Sequence, residues 1–484
     1  MKKIILLLFT TIIIFSQELR VTDMNGYSVE KPQMAIHNGL VHLTYATNYR
    51  YYQFPLTGPI APISNPKNIF PYQWGPTNVS IAAGGNYVSS LIIDYLSTSG
   101  KFILYNFFSN DIGNNWSIEQ LVDTVEISSS LTLRSDLPKV LSTHDGNFYY
   151  LWFNFHKQNA NSQLMFSNNF GYIKKEIGDT NYEDVVNMTV RKIINQDYIA
   201  ITYAYNSIGK TNAYFVISTD GGNTFSQPKI FFSDTNSMGY TNVEQTWVKI
   251  MPDLSIFTAI SYSKMTFGQP GQHEWQGGTY LFKSTNLGNS WEPYLQIDTV
   301  YEYYHSIFDM TDEKVIVKLC RYDNMYLKTT IDCQNWSVSD NLLSIDSLQI
   351  YSPTMILDNN KAATAWIDYR TGHPEIYYRY VDIPQAPVSV ISSNNKIENF
   401  ILYQNYPNPF NPSTIIKFVN NKSQNIKISV YDIMGKKVAN LLDKHFSAGS
   451  YEINFIPNNL NSGVYFAVVE TPNFKKSIKM VYLK

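Results

Sequence analysis

The amino-acid sequence predicts an all-β fold, on three observations. Tyrosine and phenylalanine, which favour strands, number 37 and 27 among 484 residues. The apolar runs are short, rich in β-branched and aromatic residues, and bounded by Asn, Gly, Asp and Ser, which is typical of strands and not of helices. A polar turn sequence recurs along the chain, so the strands are expected to belong to repeated units.

Composition narrows the class of protein. Charged residues make up 16% of the chain and the formal net charge is -2, so no basic surface for nucleic acid is expected. Two cysteines are too few for a disulfide scaffold.

The start of the chain predicts export. The charged start Met1–Lys3 and the apolar run Ile4–Phe15 predict a signal peptide over residues 1–16, cleaved after Ser16. No later stretch approaches the roughly 20 apolar residues of a membrane helix, so we expect no transmembrane segment in the mature chain.

A repeated unit extends over residues 18–384. Its second strand is the most apolar, and it recurs about every 50 residues, a spacing typical of repeat architectures. The predicted second strands are Leu40–Tyr45, Tyr87–Tyr95, Phe148–Phe155, Tyr198–Tyr205, Leu254–Tyr262, Lys314–Tyr322 and Ala362–Tyr369. Four strands at this period are typical of a propeller blade. We therefore predict a β-propeller over residues 18–384, with seven blades favoured and six as the alternative.

Three copies of the recurring turn are well formed, and we name them the box turns. Each has Ser, then Asp or Asn, then Gly, then Trp or Phe: Ser109, Asp111, Gly113 and Trp116; Ser218, Asp220, Gly222 and Phe225; Ser284, Asn286, Gly288 and Trp291. Ser167–Gly171 keeps the first half, and Thr329–Trp336 keeps the ends, with Ile331 and Cys333 at the Asp and Gly places. One carboxylate per turn is too few for calcium, so these turns are expected to be structural, with no metal or cofactor.

The box turns resemble the Asp box, or bacterial neuraminidase repeat, of sialidase-like propellers. The resemblance covers most of residues 18–384 and implies that the turns join the third and fourth strands of each blade, away from the central cleft. Sialidases hold three arginines there, with a Tyr nucleophile, a Glu and an Asp. The family's Arg-Ile-Pro element is missing here, and catalysis is left uncertain with no catalytic residue assigned. The arginines of this chain are scattered, at Arg20, Arg50, Arg134, Arg191, Arg321, Arg370 and Arg379.

The end of the chain differs in kind. Residues 385–399 are polar enough for a linker, and residues 400–484 hold several short alternating strands after a proline-rich entry, which predicts a small immunoglobulin-like β-sandwich. This unit closely resembles the type A C-terminal sorting domain of type IX secretion cargo. The resemblance implies a translocon and a sortase as partners of residues 400–484, release or attachment at the cell surface, and a source in Bacteroidota. Its motifs are Asn405–Pro412, Val430–Gly435, Ser462–Phe466 and Lys479–Lys484.

Loops between second and third strands open on the propeller face opposite the box turns, so ligands are expected there. The candidates in residues 269–278 are His273, Glu274 and Trp275, which suit a sugar or a partner protein. The alternative is a surface insertion whose Trp folds back onto its own blade. The second group is Asp368, Arg370 and His373, where a turn with an ion pair is the alternative.

These patterns predict an exported protein, secreted or attached at the cell surface. The favoured function is a binding or scaffold propeller, with a glycan or another envelope component as the candidate ligand. The alternative is a divergent sialidase-type glycoside hydrolase, and a third reading is a structural spacer.

Overall fold

The computed structural model is built from strands. It describes residues 18–23, 31–45, 50–59, 61–63, 66–69, 78–96, 101–117, 120–125, 138–155, 162–168, 173–180, 183–207, 210–235, 239–267, 273–299, 306–321, 325–333, 335–339, 342, 350–386, 400–402, 405, 407–420, 423–447, 449–458, 460–471 and 474–484. The predicted signal peptide and most of the predicted linker lie outside these residues. Compactness divides the chain into two units, Met1–Val388 and Ser389–Lys484.

Within the described residues, the first unit contains seven four-stranded antiparallel sheets, which we number as blades 1 to 7. Blade 1 consists of β2 (Gln33–His37), β3 (Leu40–Thr44), β4 (Arg50–Pro55) and β5 (Lys67–Asn68). Blade 2 consists of β6 (Asn78–Gly84), β7 (Tyr87–Leu96), β8 (Lys101–Ser109) and β9 (Gln120–Val125). Blade 3 consists of β10 (Lys139–Ser142), β11 (Phe148–Phe155), β12 (Ser162–Asn168) and β13 (Ile173–Thr180).

The next three blades repeat the same order. Blade 4 consists of β14 (Glu183–Ile193), β15 (Gln196–Ser207), β16 (Lys210–Ser218) and β17 (Lys229–Thr235). Blade 5 consists of β18 (Gly239–Ile250), β19 (Ile256–Phe267), β20 (His273–Ser284) and β21 (Glu292–Thr299). Blade 6 consists of β22 (Ser306–Met310), β23 (Ile316–Arg321), β24 (Met325–Thr330) and β25 (Ser337–Val338). The first strands of most neighbouring blades lie against one another, which makes them the innermost strands.

Blade 7 joins the two ends of the propeller. It consists of β26 (Ile350–Asp358), β27 (Lys361–Asp368) and β28 (Glu375–Asp382), and its outermost strand is β1 (Leu19–Arg20) from the start of the chain. Strands β2 and β26 also lie together, so blade 1 follows blade 7 and the ring closes. The predicted β-propeller is confirmed, and the seven predicted second strands correspond to β3, β7, β11, β15, β19, β23 and β27.

The blades are held together by apolar faces that meet between neighbours. Second and third strands supply most of the buried aromatic rings, for example Trp152, Tyr150 and Phe148 between blades 2 and 3. Because both faces of each blade are buried against neighbouring blades, these strands are nearly continuous apolar runs.

The turns between strands lie at the two ends of the propeller. We call the end with the first-to-second and third-to-fourth turns the box face, and the opposite end the loop face.

The second unit contains two sheets among its described residues. One sheet has the order β29-β30-β33 and the other β32-β31-β34-β35. Their side chains meet in a shared core that includes Ile416, Val430 and Phe455. The unit is therefore a two-sheet β-sandwich. Its strands are β29 (Phe400–Leu402), β30 (Thr414–Asn420), β31 (Gln424–Asp432), β32 (Lys437–Phe446), β33 (Gly449–Phe455), β34 (Gly463–Thr471) and β35 (Phe474–Tyr482).

Candidate functional site

The polar side chains of the box turns bond within the turns themselves. Ser218 Oγ donates to Asp220 Oδ1 at 2.7 Å and accepts from the Gly222 amide at 2.8 Å. The Thr224 amide donates to the same carboxylate at 2.8 Å. Gly222 has a φ of 83°, which favours glycine, and a Cβ there would lie 2.6 Å from the Phe166 ring. The box turns at Ser109 and Ser284 have the same bonds.

Each box turn also contacts the preceding blade. The ring centroids of Phe225 and Phe166 are 4.9 Å apart, and a lysine on the preceding fourth strand, Lys175, donates to the Gly222 carbonyl at 3.0 Å. The turns at Trp116 and Trp291 are held similarly. Their partners are Tyr51, with Lys67 donating to Gly113, and Phe215, with Lys229 donating to Asn289. The box turns are thus contacts between blades, and the lysines were missed because no local motif marks them.

The degraded turn of blade 6 begins one residue later than predicted. Thr330 Oγ1 donates to Asp332 Oδ1 at 3.0 Å and accepts from the Cys333 amide at 2.9 Å. Asp332 therefore takes the Asp place that the predicted repeat gave to Ile331. The prediction was wrong because it kept the full spacing, whereas the bond from the Asn335 amide to Asp332 shows a turn one residue shorter. In blade 3, residues 169–171 lie outside the described residues.

Ion pairs surround the propeller axis on the box face. Arg191 of blade 4 reaches Asp312 of blade 6, with Nη1 to Oδ2 at 3.1 Å. Burial alone would raise the pKa of Asp253, but Lys314 and Ser255 outweigh it and lower that pKa. These charges are occupied by one another, which leaves the loop face as the better place for a ligand. The other pairs between blades are Lys192–Asp145, Lys249–Asp309 and Lys314–Asp253.

The first predicted ligand group lies in a strand. His273, Glu274 and Trp275 begin β20 and pair with Phe267, Thr266 and Met265 of β19. The expectation of a loop was wrong for residues 273–278. Strand β20 continues through glycines 277 and 278 to Ser284. A Cβ at Gly277 would lie 2.1 Å from the Tyr262 carbonyl oxygen, so glycine at this position lets β19 and β20 approach closely. The connecting residues 268–272 lie outside the described residues.

The second predicted group divides into a buried pair and an exposed histidine. Asp368, at the end of β27, is fully buried, and its carboxylate accepts from the Arg370 amide and from Nε, both at 2.8 Å. The Arg370 guanidinium lies 4.4 Å from the centroid of the Tyr377 ring. His373 is exposed, and its carbonyl accepts from Thr371 Oγ1 at 3.3 Å. The structure thus forms the ion pair that was the alternative reading.

Residues at the start of the chain complete this cluster. Arg370 Nη1 also binds the Glu18 carboxylate, whose side chain is only 2% exposed. Thr22 Oγ1 donates to Glu375 and accepts from the Ile376 amide at 2.9 Å. We call Glu18, Thr22, Asp368, Arg370 and Glu375 the closure cluster. Sequence analysis missed Glu18 and Thr22, although their place just after a predicted signal peptide made them candidates for a closing strand.

An exposed aromatic pair lies beside the closure cluster on the loop face. Tyr351 is 49% exposed and Tyr369 is 37% exposed, and their ring centroids are 5.4 Å apart at an interplanar angle of 77°. The register of β26 and β27 shifts between Tyr351 and Thr354, and Ser352 has a φ of 44°. A bulge of this kind redirects neighbouring side chains. The pair was not recognised from sequence, because tyrosines are common in every blade.

The described arginines with carboxylate partners do not form a three-arginine clamp. Arg191 binds Asp312, Arg370 binds Asp368 and Glu18, and Arg20 binds Asp23 at 3.1 Å. Their charges are therefore occupied by carboxylates of this chain. Arg134 lies outside the described residues. The part of the chain that the structure describes also has no group of three His, Cys, Asp or Glu side chains that could hold a metal ion.

A comparison with protein families gave a match to the C-terminal unit of the chain. Residues 404–483 match the model of the secretion system C-terminal sorting domain. This match indicates export by the type IX secretion system to the cell surface or the extracellular space. Among the described residues, none belongs to a helix long and apolar enough to cross a membrane. A comparison with curated proteins gave no match.

A comparison with solved structures gave matches of low sequence identity, among them the following three. Polysaccharide lyase Uly1 is 10% identical, with a TM-score of 0.48, over 77% of this chain and 94% of that chain. Penicillium chrysogenum α-L-arabinanase is 9% identical, with a TM-score of 0.39, over 76% and 98%. The β-propeller domain of the Trilobed protease from Pyrococcus furiosus is 7% identical, with a TM-score of 0.38, over 83% and 97%.

Proposed function

We propose that the propeller is a glycan-binding module, delivered by its sorting domain and presented at the cell surface or in the surrounding medium. The observation that carries this proposal is the exposed pair Tyr351 and Tyr369 on the loop face. We further propose that the box turns are Asp boxes of the sialidase-like class, which their Ser–Asp–Gly bonding supports.

Tyrosine suits this role for two physical reasons. Its ring offers an apolar face on which the C–H groups of a sugar can stack, and its hydroxyl group remains free to bond to water or sugar oxygens. It also has few rotatable bonds, so little conformational entropy is lost when a ligand fixes it. Other tyrosines of the propeller, such as Tyr45 and Tyr52, are buried in the core and are not accessible to a ligand.

The surroundings of the pair support a rigid site. Tyr351 belongs to the innermost strand of blade 7, and Tyr369 directly follows Asp368, which Arg370 holds in place. In the same blade, Tyr377 stacks on the buried Trp366 with ring centroids 6.2 Å apart. Side chains held by a rigid scaffold bind at lower entropic cost than side chains on a mobile loop.

The test is binding of the purified mature chain to a glycan array, followed by titration with the glycans that bind. Tyr351→Ala with Tyr369→Ala is expected to weaken binding by about 30-fold, which corresponds to about 2 kcal/mol for loss of a central aromatic anchor. The matched control is Tyr87→Ala with Tyr294→Ala, since these tyrosines are 38% and 39% exposed in other blades. Equal affinity of both double variants would contradict the proposed site.

A fluorogenic sialoside assay on the same preparation addresses the glycoside hydrolase alternative. The binding proposal expects no turnover above that of the heat-denatured chain. Turnover that depends on the native fold would replace it with an enzymatic function. Silence on the array and in this assay would favour a scaffold role.

A further inference from the structure

Four sequence motifs of the sorting unit meet at one end of the sheet β32-β31-β34-β35. Asp432 of β31 pairs with Tyr465 of β34, which pairs with Met480 of β35. The proline-rich segment joins them, because the Phe410 amide donates to the Val481 carbonyl at 2.9 Å and the Leu483 amide donates to the Phe410 carbonyl at 3.0 Å. Segments more than 70 residues apart thus form one surface, with Asn408 accepting from the Val481 amide at 2.7 Å.

A rigid turn at this end holds two apolar side chains in solvent. Met434 is 86% exposed and Ile433 is 71% exposed. The turn is fixed by Asp432, whose Oδ1 accepts from the amides of Met434 and Lys436, each at 2.9 Å. Gly435 has a φ of 77°, which the turn requires and which glycine tolerates. An ordered turn that presents large apolar side chains to water is typical of a binding surface.

The charge of the sorting unit indicates the kind of partner. Residues 400–484 contain ten lysines, no arginine and four carboxylate side chains, a formal charge of +6 in a chain of net charge -2. Lys436 and Lys437 directly follow the exposed pair, and Lys484 ends the chain beside Leu483, which is also exposed. Complementary charge around an apolar contact favours association and fixes orientation. An apolar pocket with an acidic rim would fit this surface.

We propose that Ile433, Met434 and Leu483, with the flanking lysines, form the docking surface by which the sorting unit binds a protein of the export machinery. We call this surface the motif end. The partner offers an apolar pocket for Ile433 and Met434 and carboxylates for Lys436 and Lys437. The inference rests on the proposed delivery by the sorting domain and specifies which part of that domain is recognised.

The experiment measures export of the full chain from a bacterium that has a type IX secretion system, as the ratio of extracellular to periplasmic protein on immunoblots. Ile433→Ser with Met434→Ser is expected to lower this ratio at least about tenfold, as expected for loss of a binding hot spot. The matched control is Ile415→Ser with Ile456→Ser, which removes apolar side chains 44% and 55% exposed elsewhere on the same unit. The control is expected to be exported like the wild type.

Further arms separate the possible causes. Both double variants should keep the wild-type melting temperature. If the Ile433 and Met434 variant fails to fold, Lys436→Gln with Lys437→Gln replaces it as the test and is expected to lower export several-fold. Deletion of residues 404–483 tests delivery itself: normal export of the deleted chain would overturn the delivery proposal and this one together. If deletion blocks export but the Ile433 and Met434 variant is exported normally, the docking surface alone is refuted. Binding to lipopolysaccharide vesicles that is lost in this variant would assign the surface to lipid and also overturn the proposal.

Discussion

Arg370 offers a sharp test of how the propeller closes. Its guanidinium group binds both Asp368 and Glu18, whose side chains are 0% and 2% exposed, and so links the last blade to the first strand of the chain. Burial alone would lower the pKa of Arg370, but these two carboxylates outweigh it and raise that pKa. Arg370→Ala would leave both carboxylates buried without this cation.

The expected cost is large. Removing one partner of a buried ion pair costs about 3–5 kcal/mol, because the remaining charge stays out of water. Loss of the contact between the guanidinium and the Tyr377 ring adds about 0.5–1 kcal/mol. The free energy of unfolding should therefore fall by about 4 kcal/mol, and Asp368→Asn in the same chain should restore part of it by removing one stranded charge.

The measurement is urea unfolding of the mature chain, followed by tryptophan fluorescence, to which all eight tryptophans contribute. Amide exchange reports the local effect at Val21, whose amide donates to the Ile376 carbonyl at 2.7 Å, and at Ile376, whose amide donates to Thr22 Oγ1 at 2.9 Å. The control is Arg191→Ala, whose partner Asp312 is 49% exposed, so its loss should cost under about 1 kcal/mol. If Arg370→Ala is no more destabilising than this control, the closure cluster does not hold the ring.

Three further predictions concern single side chains. Phe225→Ala should lower the free energy of unfolding by about 2 kcal/mol, less than for a fully buried ring, because Phe225 is half-buried against Phe166. Asp220→Ala should lower it by about 1 kcal/mol. Unchanged melting temperatures in both variants would contradict the role of the box turns. Gly288→Ala, with a φ of 76° and a Cβ 2.2 Å from Phe215, should lower the melting temperature more than Gly372→Ala, which meets only the strain of its φ of 87°. Burial lowers the pKa of His42 to about 4, so between pH 6.5 and 4 the unfolded chain binds more protons than the folded chain, and stability should fall as the pH falls through this range. His42→Gln should make this fall in stability less steep in urea titrations at several pH values. An unchanged pH dependence would refute the role of His42.

The loop-face site shows the limits of sequence reasoning in detail. Asp368 and Arg370 were singled out because acidic and basic residues cluster in a turn, and their ion pair was among the readings. Tyr351 was not recognised, since its exposure depends on a bulge in β26 between Tyr351 and Thr354 that no local sequence pattern indicates. Trp275 was expected in a glycine-flanked loop, yet it lies in β20, and Gly277 allows β19 and β20 to approach closely.

The sequence by itself determined where the strands are, that they repeat, and that a separate unit follows. Short apolar runs and the bonding of Ser, Asp and Gly in a box turn involve only a few neighbouring residues, so both can be recognised in the sequence. Only the tertiary structure decided which residues close the ring and which lysines hold the box turns. Glu18 and Arg370 are separated by 352 residues, and Lys175 and Gly222 by 47, so their contacts follow from the circular order of the blades and have no local signal.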